Sequence, residues 1–291
     1  PRRPCSAVAP RGRTYSQMSA ATQQAAAKAA IRRMRGNEVC AECAAPQVEW
    51  LVLEYGVVVC IRCAGGHRGL GSHICKVRSI DLDDFSEAEL QWAQAMGNAK
   101  SNAIFEAALP ARMRRPAADA SDTVRRIWLR AKYDEQRFVA GAVTRGPLPH
   151  ERHSGWLQKR ADFLPAWRSR FFALGAGGTL SYFTDESCSA QSQRGSWHLA
   201  GCTVDEDSTD PLLLRLTFES AVGGGHAGGA FRTRVDSAPS PRGRVVRLLA
   251  ASQQEADAWV WALYHATHAA RSSTMPTSST ASRARAVGGG T

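Results

Sequence analysis

Hydrophobic positions in the first half of the chain follow the spacing of helices. The stretch 22–35, TQQAAAKAAIRRMR, is rich in Ala and other strong helix formers, so it predicts a helix. Ser86, with Glu89 three residues on, forms a capping box that predicts the start of a second helix. The apolar face of that helix carries Leu90, Ala93 and Met96.

Two further helices are predicted in the same half. A short one carries Ile104 and Phe105, and another begins near Asp122 with apolar residues at helical spacing, namely Val124, Ile127, Trp128 and Ala131. A cysteine-rich block at 40–73 lies between the first two helices and contains a short β-like run, VVVC. The pattern predicts a small cysteine-rich core that is wrapped by helices.

The second half of the chain has a different pattern. The runs GWLQK, WRSRFFAL and TLSYF are short, aromatic and partly alternating, which is typical of antiparallel strands. More strand-like runs follow at 196–199, 212–218 and 244–249. Ser252 and Glu255 form a second capping box, which opens a closing helix with the apolar stripe Ala256, Trp259, Val260 and Leu263.

These patterns divide the chain into two domains of α+β class. We expect a disordered lead at 1–20, a first domain at 21–140, a linker at 141–152, a second domain at 153–270 and a low-complexity tail at 271–291. A glycine-rich insertion at 221–229 predicts a flexible loop within the second domain.

Composition and charge limit the functions that the chain can have. Hydrophobic residues make up 44% and charged residues 22%, which is globular composition, and the net charge of +11 favours an anionic partner. Nucleic acid and the anionic face of a membrane satisfy that charge equally well. No apolar run approaches 18 residues, and the first residues lack the apolar region of a signal peptide. The chain begins without Met, which suggests a piece of a longer protein.

Four of the eight cysteines form two closely spaced pairs. Cys40 and Cys43 form one C-x-x-C pair and Cys60 and Cys63 the other, with sixteen residues between the pairs. This spacing lets four thiolates hold one tetrahedral Zn²⁺, and a site closed by four ligands is structural rather than catalytic. Without a secretory signal, the pattern favours zinc in a reducing compartment over disulfides, so we expect a cytoplasmic protein.

The residues around these cysteines closely resemble the Arf GTPase-activating (ArfGAP) domain. The family pattern is C-x2-C-x16-C-x2-C followed by His-Arg and then Leu-Gly, and this chain has each part. The resemblance covers about residues 25–140. It rests on Trp50, Gly56, His67, Arg68, Leu70, Gly71, His73, Val77, Arg78, Ser79, Asp83, the MGN run at 96–98, Asn102 and Glu106.

The resemblance implies that Arg68 is the catalytic arginine for an Arf-family GTPase in its GTP-bound state. The chain is then a GTPase activator and not itself a hydrolase. An arginine inserted in trans compensates charge in the transition state of GTP hydrolysis. His67 is either a support behind the site or a packed histidine. Arg62 is interpreted as a surface charge, Trp50 as core, and Asp83 and Asp84 as helix-entry or surface carboxylates.

Two departures from the family pattern bear on efficiency rather than on the class of activity. The family commonly has Ser-Gly between the fourth cysteine and His-Arg, where this chain has AGG at 64–66. Cys75 replaces a usual Ser and is either a reactive thiol or, our preferred interpretation, a small buried residue.

From His153 the chain resembles a pleckstrin-homology (PH) domain, which implies a seven-stranded antiparallel β-barrel or sandwich capped by a C-terminal helix. Arg168 and Arg170 share one face of a strand because side chains alternate with a period of two. With Lys159 and Tyr182 they match the family pattern for clamping phosphoinositide phosphates, and Arg160 adds positive charge to the loop. Trp259 is expected in the core, and core is also the interpretation for Trp156 and Trp167.

The domain order resembles the dual-PH Arf activators of the centaurin-alpha type. We therefore predict an Arf GTPase activator that is recruited peripherally to phosphoinositide-containing membranes. The alternative is a non-catalytic zinc-finger and PH adaptor that binds inositol phosphates and protein partners. A nucleic-acid binder is disfavoured because no recognition helix or aromatic–basic RNA motif is visible. A zinc hydrolase is excluded because four cysteines leave no open metal position.

Overall fold

The computed structural model describes residues 19–110, 113–142, 153–161, 166–175, 177–207, 209–218 and 244–274. The chain divides into two compact units, residues 1–147 and 148–291. The predicted glycine-rich loop lies outside the described residues, as do residues 1–18 of the predicted lead, 143–152 of the linker and 275–291 of the tail.

The first unit consists of helices around a small sheet. Its helices are α1 (Ala20–Arg33), α2 (Ile61–Leu70), α3 (Glu87–Phe105) and α4 (Asp122–Leu129), the last continued by a π-helical turn, Arg130–Asp134. Its strands are β1 (Trp50–Val52), β2 (Val57–Val59) and β3 (Val77–Ser79), paired antiparallel in the order β2-β1-β3. The core between sheet and helices contains Ala27, Ile31, Leu51, Val58, Ile80, Phe85, Leu90 and Ala93.

Helix α3 confirms the capping box and corrects the number of helices. The Ser86 hydroxyl accepts from the Glu89 N–H, and the Glu89 carboxylate accepts from the Ser86 N–H. Ile104 and Phe105 belong to this same helix rather than to a separate one. The helix is interrupted by a kink at Gly97, whose φ of 66° is in the left-handed region. A Cβ at Gly97 would lie 2.6 Å from Met34 Cε, the end of a flexible side chain that can move aside, so the positive φ rather than space is what requires glycine here.

The second unit is a seven-stranded antiparallel sheet with one long helix. The strands are β4 (His153–Arg160), β5 (Trp167–Gly175), β6 (Thr179–Phe183), β7 (Gln193–His198), β8 (Cys202–Glu206), β9 (Leu213–Phe218) and β10 (Arg244–Leu249). They pair in the order β7-β6-β5-β4-β10-β9-β8. Strand β8 was not predicted, because its sequence CTVDE is mostly polar and gives little apolar signal. The seven-stranded antiparallel architecture itself is confirmed.

Helix α5 (Gln253–Thr274) closes the second unit. Its predicted stripe of Ala256, Trp259, Val260 and Leu263 is buried, and Trp259 is core as expected. Ser252 Oγ accepts from the Glu255 N–H, while the Glu255 carboxylate accepts from the N–H of Ala251 rather than Ser252. The helix also continues to Thr274, beyond the predicted start of the tail at 271. No helix in the described part of the chain has the length and apolarity that a membrane crossing requires.

Candidate functional site

The four predicted ligand cysteines lie together in the first unit. Cys40 and Cys43 flank a tight turn, Cys60 is the N-cap of α2, and Cys63 lies in the first turn of that helix. Their Sγ atoms lie within 4.8 Å of one another, and the Sγ atoms of Cys43 and Cys60 are 3.6 Å apart. A tetrahedral Zn²⁺ with Zn–S bonds of about 2.3 Å places its sulfurs roughly 3.8 Å apart, so the four side chains fit this metal.

The site is buried and its ligands are all cysteines. Each of the four side chains is at most 6% exposed, which leaves little access for water. Four thiolates complete the coordination of zinc, so the metal holds the fold together and does not activate a substrate. The prediction of a structural zinc is confirmed.

Arg125 is the buried cation beside these sulfurs. It lies in α4, is 1% exposed, and its Nη1 donates to Cys63 Sγ at 3.1 Å. Its Nη2 donates to the carbonyl oxygens of Ala117 and Ala118 at 3.2 and 2.6 Å. Sequence analysis missed this residue, although its place between the apolar positions Val124 and Trp128 of a short helix was a signal that it faces inward.

Arg68 lies in the last turn of α2, five residues after Cys63, and its side chain is exposed. Its guanidinium carbon lies 4.4 Å from the centre of the Trp50 ring, a cation–π contact between helix α2 and strand β1. Trp50 was predicted as core, but it is only half-buried and forms the surface on which Arg68 rests. Trp50 is the first residue of β1, and one face of its indole is covered by the exposed Arg68 guanidinium rather than by the core.

His67 lies behind Arg68 and is fully buried. Its Nε2 is 3.6 Å from a carboxylate oxygen of Glu42, and its ring packs 5.1 Å from the ring of Tyr133. The backbone of α2 is close to α4 as well, because a Cβ at Gly66 would lie 2.7 Å from Leu129 Cδ1. The helix that carries Arg68 is therefore fixed by packing on its inner side while the arginine remains on the outer side.

A network of buried polar side chains surrounds Glu42, which lies between Cys40 and Cys43. The Glu42 carboxylate accepts from Lys132 Nζ at 3.0 Å, Trp128 Nε1 at 2.9 Å and the Tyr133 hydroxyl at 2.7 Å. Burial by itself raises the pKa of Glu42, but the charge of Lys132, with His67 close by, outweighs burial and holds that pKa well below its usual range. Glu42 is therefore a buried carboxylate that remains ionised.

Lys132 is the cation on which this network depends. It is fully buried, and its Nζ also lies 2.7 Å from the Glu106 carboxylate and 2.7 Å from Asn102 Oδ1. Sequence analysis found Asn102 and Glu106 only as part of the family pattern and did not assign Lys132 a role. Lys132, in the π-helical turn, thus links Glu42 of the zinc-binding turn to the end of α3.

Replacing Lys132 by Met is expected to lower the free energy of unfolding by about 3–5 kcal/mol, because the buried Glu42 carboxylate loses its cation. Glu106 keeps a second cation, Arg115, whose Nη2 lies 2.6 Å from the carboxylate. The measurement is urea unfolding of zinc-loaded protein. Arg130→Met is the matched control, since Arg130 pairs with Asp134 and Glu135 at the surface and its loss should cost less than about 1 kcal/mol. Equal stability losses in the two variants would show that the Lys132 network contributes no more than a surface pair.

The remaining residues around the cysteine block have structural environments. Cys75 is buried, its Sγ donates to the carbonyl of His67 at 3.1 Å, and burial raises its pKa to about 12, so it is an unreactive packed thiol. Arg62 is exposed and donates to the carbonyl of Ala120 and to Asp122. The Asp83 carboxylate accepts from the N–H of Ser79 at 2.7 Å, next to the end of β3.

The predicted phosphate-binding residues of the second unit lie on one face of its sheet. Lys159 is opposite Arg168, Leu157 is opposite Arg170, and Phe172 is opposite Tyr182 in the strand register. Since Leu157 and Phe172 are buried, this is the inner face, and the two arginines lie toward its rim. Arg168 is exposed and Arg170 half-buried.

Lys159 and Tyr182 are more buried than Arg168 and Arg170. Lys159 is 8% exposed and its Nζ is 5.6 Å from the centre of the Tyr182 ring, which is stacked on Trp197 at 4.8 Å. Gly195 permits this position, because a Cβ there would lie 2.7 Å from the Tyr182 ring. Two cations thus reach the surface while the lysine and the tyrosine form the floor beneath them.

Two tryptophans of this unit were wrongly predicted as core. Trp156 and Trp167 are 40% and 38% exposed. Both lie on the outer face, because the neighbouring positions Leu157 and Arg168 point to the inner face and side chains alternate along a strand. The Trp156 indole N–H donates to Glu186 at 2.6 Å at the surface.

Comparison with known proteins identifies both units. Residues 25–142 match the ArfGap family model, described as putative GTPase activating protein for Arf, and residues 151–268 match the PH domain model. The ADP-ribosylation factor GTPase-activating protein AGD12 of Arabidopsis thaliana is 43% identical over 104 residues, which is 35% of this chain and 31% of that protein.

Relatives with further domains match as well. The Arf-GAP with dual PH domain-containing protein 2 of Rattus norvegicus is 35% identical over 152 residues, or 52% of this chain and 39% of that protein. The solved ArfGap domain of HIV-1 Rev binding protein is 23% identical, covering 42% of this chain and 93% of that structure, with a TM-score of 0.37. These alignments span less than half the length of either curated relative. From its sequence and its two units, the chain carries an ArfGap domain followed by a PH domain.

Proposed function

We propose that this chain accelerates GTP hydrolysis by an Arf-family GTPase, with Arg68 inserted in trans as the catalytic residue. The observation that carries the proposal is the position of Arg68, exposed on the outer side of a helix that the zinc site anchors at its other end. The family of the first domain and the names of its relatives support the class of substrate.

The chemistry that an exposed arginine supplies here is electrostatic. During GTP hydrolysis, negative charge on the transferring phosphoryl group is poorly compensated by the GTPase alone. A planar guanidinium contacts two oxygens at once, and an arginine finger contributes roughly 10³–10⁵ in rate. Such an effect requires a defined position, and the buried His67 and the close packing at Gly66 provide it.

The test is single-turnover GTP hydrolysis by a myristoylated Arf on liposomes, with and without phosphoinositide, in the presence of the full chain at known zinc content. We expect a large acceleration over the Arf alone. If no Arf is accelerated on any liposome, the first domain is a scaffold and the chain is a non-catalytic adaptor.

For the second domain we propose that its cations bind phosphoinositide headgroups and bring the chain to a membrane surface. Arg168 and Arg170 at the rim, with Lys159 beneath them, converge on one end of the inner face. An arginine binds a phosphate through two parallel N–H donors and a lysine binds it as a point charge, so the three suit a polyphosphorylated headgroup. The net charge of +11 supports an anionic surface as partner, and recruitment of this kind is peripheral.

Replacing Arg168 and Arg170 together by Gln is expected to weaken binding to phosphoinositide vesicles roughly thirtyfold, at about 1 kcal/mol for each cation near the surface. The measurement is vesicle sedimentation at fixed salt. Arg194→Gln is the matched control, because Arg194 is an exposed cation of the same sheet on β7, a strand that pairs with neither β4 nor β5. Equal weakening by the control would indicate attraction by overall charge instead of a headgroup site.

A further inference from the structure

Arg125 has an unusual environment for an arginine. Its side chain is 1% exposed in the interior of the first unit, and the nearest carboxylate oxygen, of Asp122, lies 3.9 Å from Nε on a side chain that is itself 84% exposed. The Nε atom has no hydrogen-bond partner among the described residues. The guanidinium does have one short contact with an anionic group: its Nη1 donates to the Cys63 thiolate sulfur at 3.1 Å.

A buried guanidinium needs a compensating negative charge, because removing it from water is costly. The weak, exposed contact with Asp122 does not provide one, so the sulfurs must. The guanidinium of an arginine stays protonated inside proteins, and Nη1 of Arg125 donates to Cys63 Sγ at 3.1 Å. Arg125 is therefore charged, and its counter-ion is the sulfur cluster.

The sulfur cluster has a matching excess of negative charge. Four thiolates around one Zn²⁺ carry a net charge of about −2. Electron density on such sulfurs makes them nucleophiles, which react with electrophiles and then release the metal. A charge-assisted hydrogen bond withdraws density from the sulfur that accepts it and occupies one of its lone pairs.

We propose that Arg125 is a positioning residue of the zinc site that keeps the Cys63 thiolate unreactive and thereby retains the metal against electrophilic attack. The zinc site itself does not depend on Arg125 for a ligand. What Arg125 contributes is kinetic protection, which acts whether or not the chain stimulates a GTPase.

The chain offers a matched control. Like Arg125, Arg62 forms hydrogen bonds to the segment 117–122. It donates to the carbonyls of Ala118 and Ala120 at 3.3 and 2.9 Å and to the Asp122 carboxylate at 2.8 Å. Arg62 is exposed, and no bond from it to sulfur is found among the described residues. The two arginines therefore share the role of anchoring residues 117–122 and differ in contact with the thiolate.

The test is zinc release from the full chain in excess N-ethylmaleimide, followed with a chromogenic chelator. The thiolate sulfur adds to the maleimide double bond, the adjacent carbon takes a proton from water, and the thioether that forms no longer holds zinc. Arg125→Gln is expected to release zinc roughly tenfold to hundredfold faster than wild type, the range for one charge-assisted hydrogen bond. Arg62→Gln should release zinc at the wild-type rate.

Zinc content and far-ultraviolet circular dichroism before the reaction establish that each variant starts folded and loaded. A wild-type rate in Arg125→Gln, or an equal acceleration in Arg62→Gln, would overturn the proposal, the latter by assigning the effect to the anchored segment. If Arg125→Gln does not retain zinc, zinc release is measured instead in Arg125→Lys, which keeps the positive charge but loses the planar donor. Its release should then be several-fold faster than wild type, and equality with wild type would overturn the proposal.

Discussion

Arg68→Lys is expected to abolish most of the GTPase stimulation by this chain, with a rate loss of roughly 10³-fold or more in single-turnover GTP hydrolysis. The substitution keeps the positive charge but replaces a planar fork, which contacts two phosphoryl oxygens, with a point charge on a flexible stem. The zinc site and the core should be unaffected, because Arg68 is exposed and contacts the face of Trp50 rather than the interior.

The control for this variant lies on the same helix. Arg62 is also an exposed arginine of α2, and Arg62→Lys should leave stimulation within a few-fold of wild type, as expected for a surface substitution. Zinc content and affinity for the GTP-bound Arf are measured for both proteins. Full stimulation by a metallated Arg68→Lys protein would show that Arg68 is not the catalytic residue and that residues of the GTPase itself stabilise the transition state.

Removing zinc is expected to unfold the first unit and leave the second unit folded. Structural zinc bound by four cysteines contributes about 10–16 kcal/mol at neutral pH, which equals or exceeds the whole stability of an ordinary domain, about 5–15 kcal/mol. The ligands join the turn at Cys40 to the start of α2, and without the metal their thiolates would repel one another in a buried site. The second unit has its own sheet and helix and contains none of the four.

Hydrogen exchange resolved along the sequence distinguishes the two units after treatment with a strong chelator. Amides of α2 and β2 should lose protection, while those of β5 and β9 keep it, and added zinc should restore the first set. Protection of α2 that survives complete metal removal would contradict the prediction and would mean that the packing of α3 and α4 is sufficient.

The zinc core could be predicted because its information is local. Each C-x-x-C pair is complete within four residues, and the capping box at Ser86 and Glu89 within another four, so neither depends on the remainder of the fold. Strands β1 and β3 escaped prediction for the opposite reason. Each has three residues, too few to show a period of two, and they form because they pair with each other and with β2.

The partners of buried charges could not be predicted, since they are distant in sequence. Arg125 meets Cys63 across 62 positions, and Lys132 meets Glu42 across 90. In isolation each of these residues is typical of a solvated helix surface. The error at Trp156 and Trp167 has a related origin, because both faces of β4 and β5 carry apolar residues and alternation alone does not indicate which face is inside.

The contact between Arg68 and Trp50 has a consequence for the encounter with a GTPase. A free arginine side chain has about 2 kcal/mol of rotamer entropy to lose when it is ordered. Resting on the indole, Arg68 has already lost part of that freedom, and leaving the ring costs only about 0.5–1 kcal/mol at an exposed position. The partner therefore meets a side chain that is held in a narrow range of directions yet released at little cost. An arginine that rests on an aromatic ring also spends less time extended into solvent, where it would attract unrelated anions.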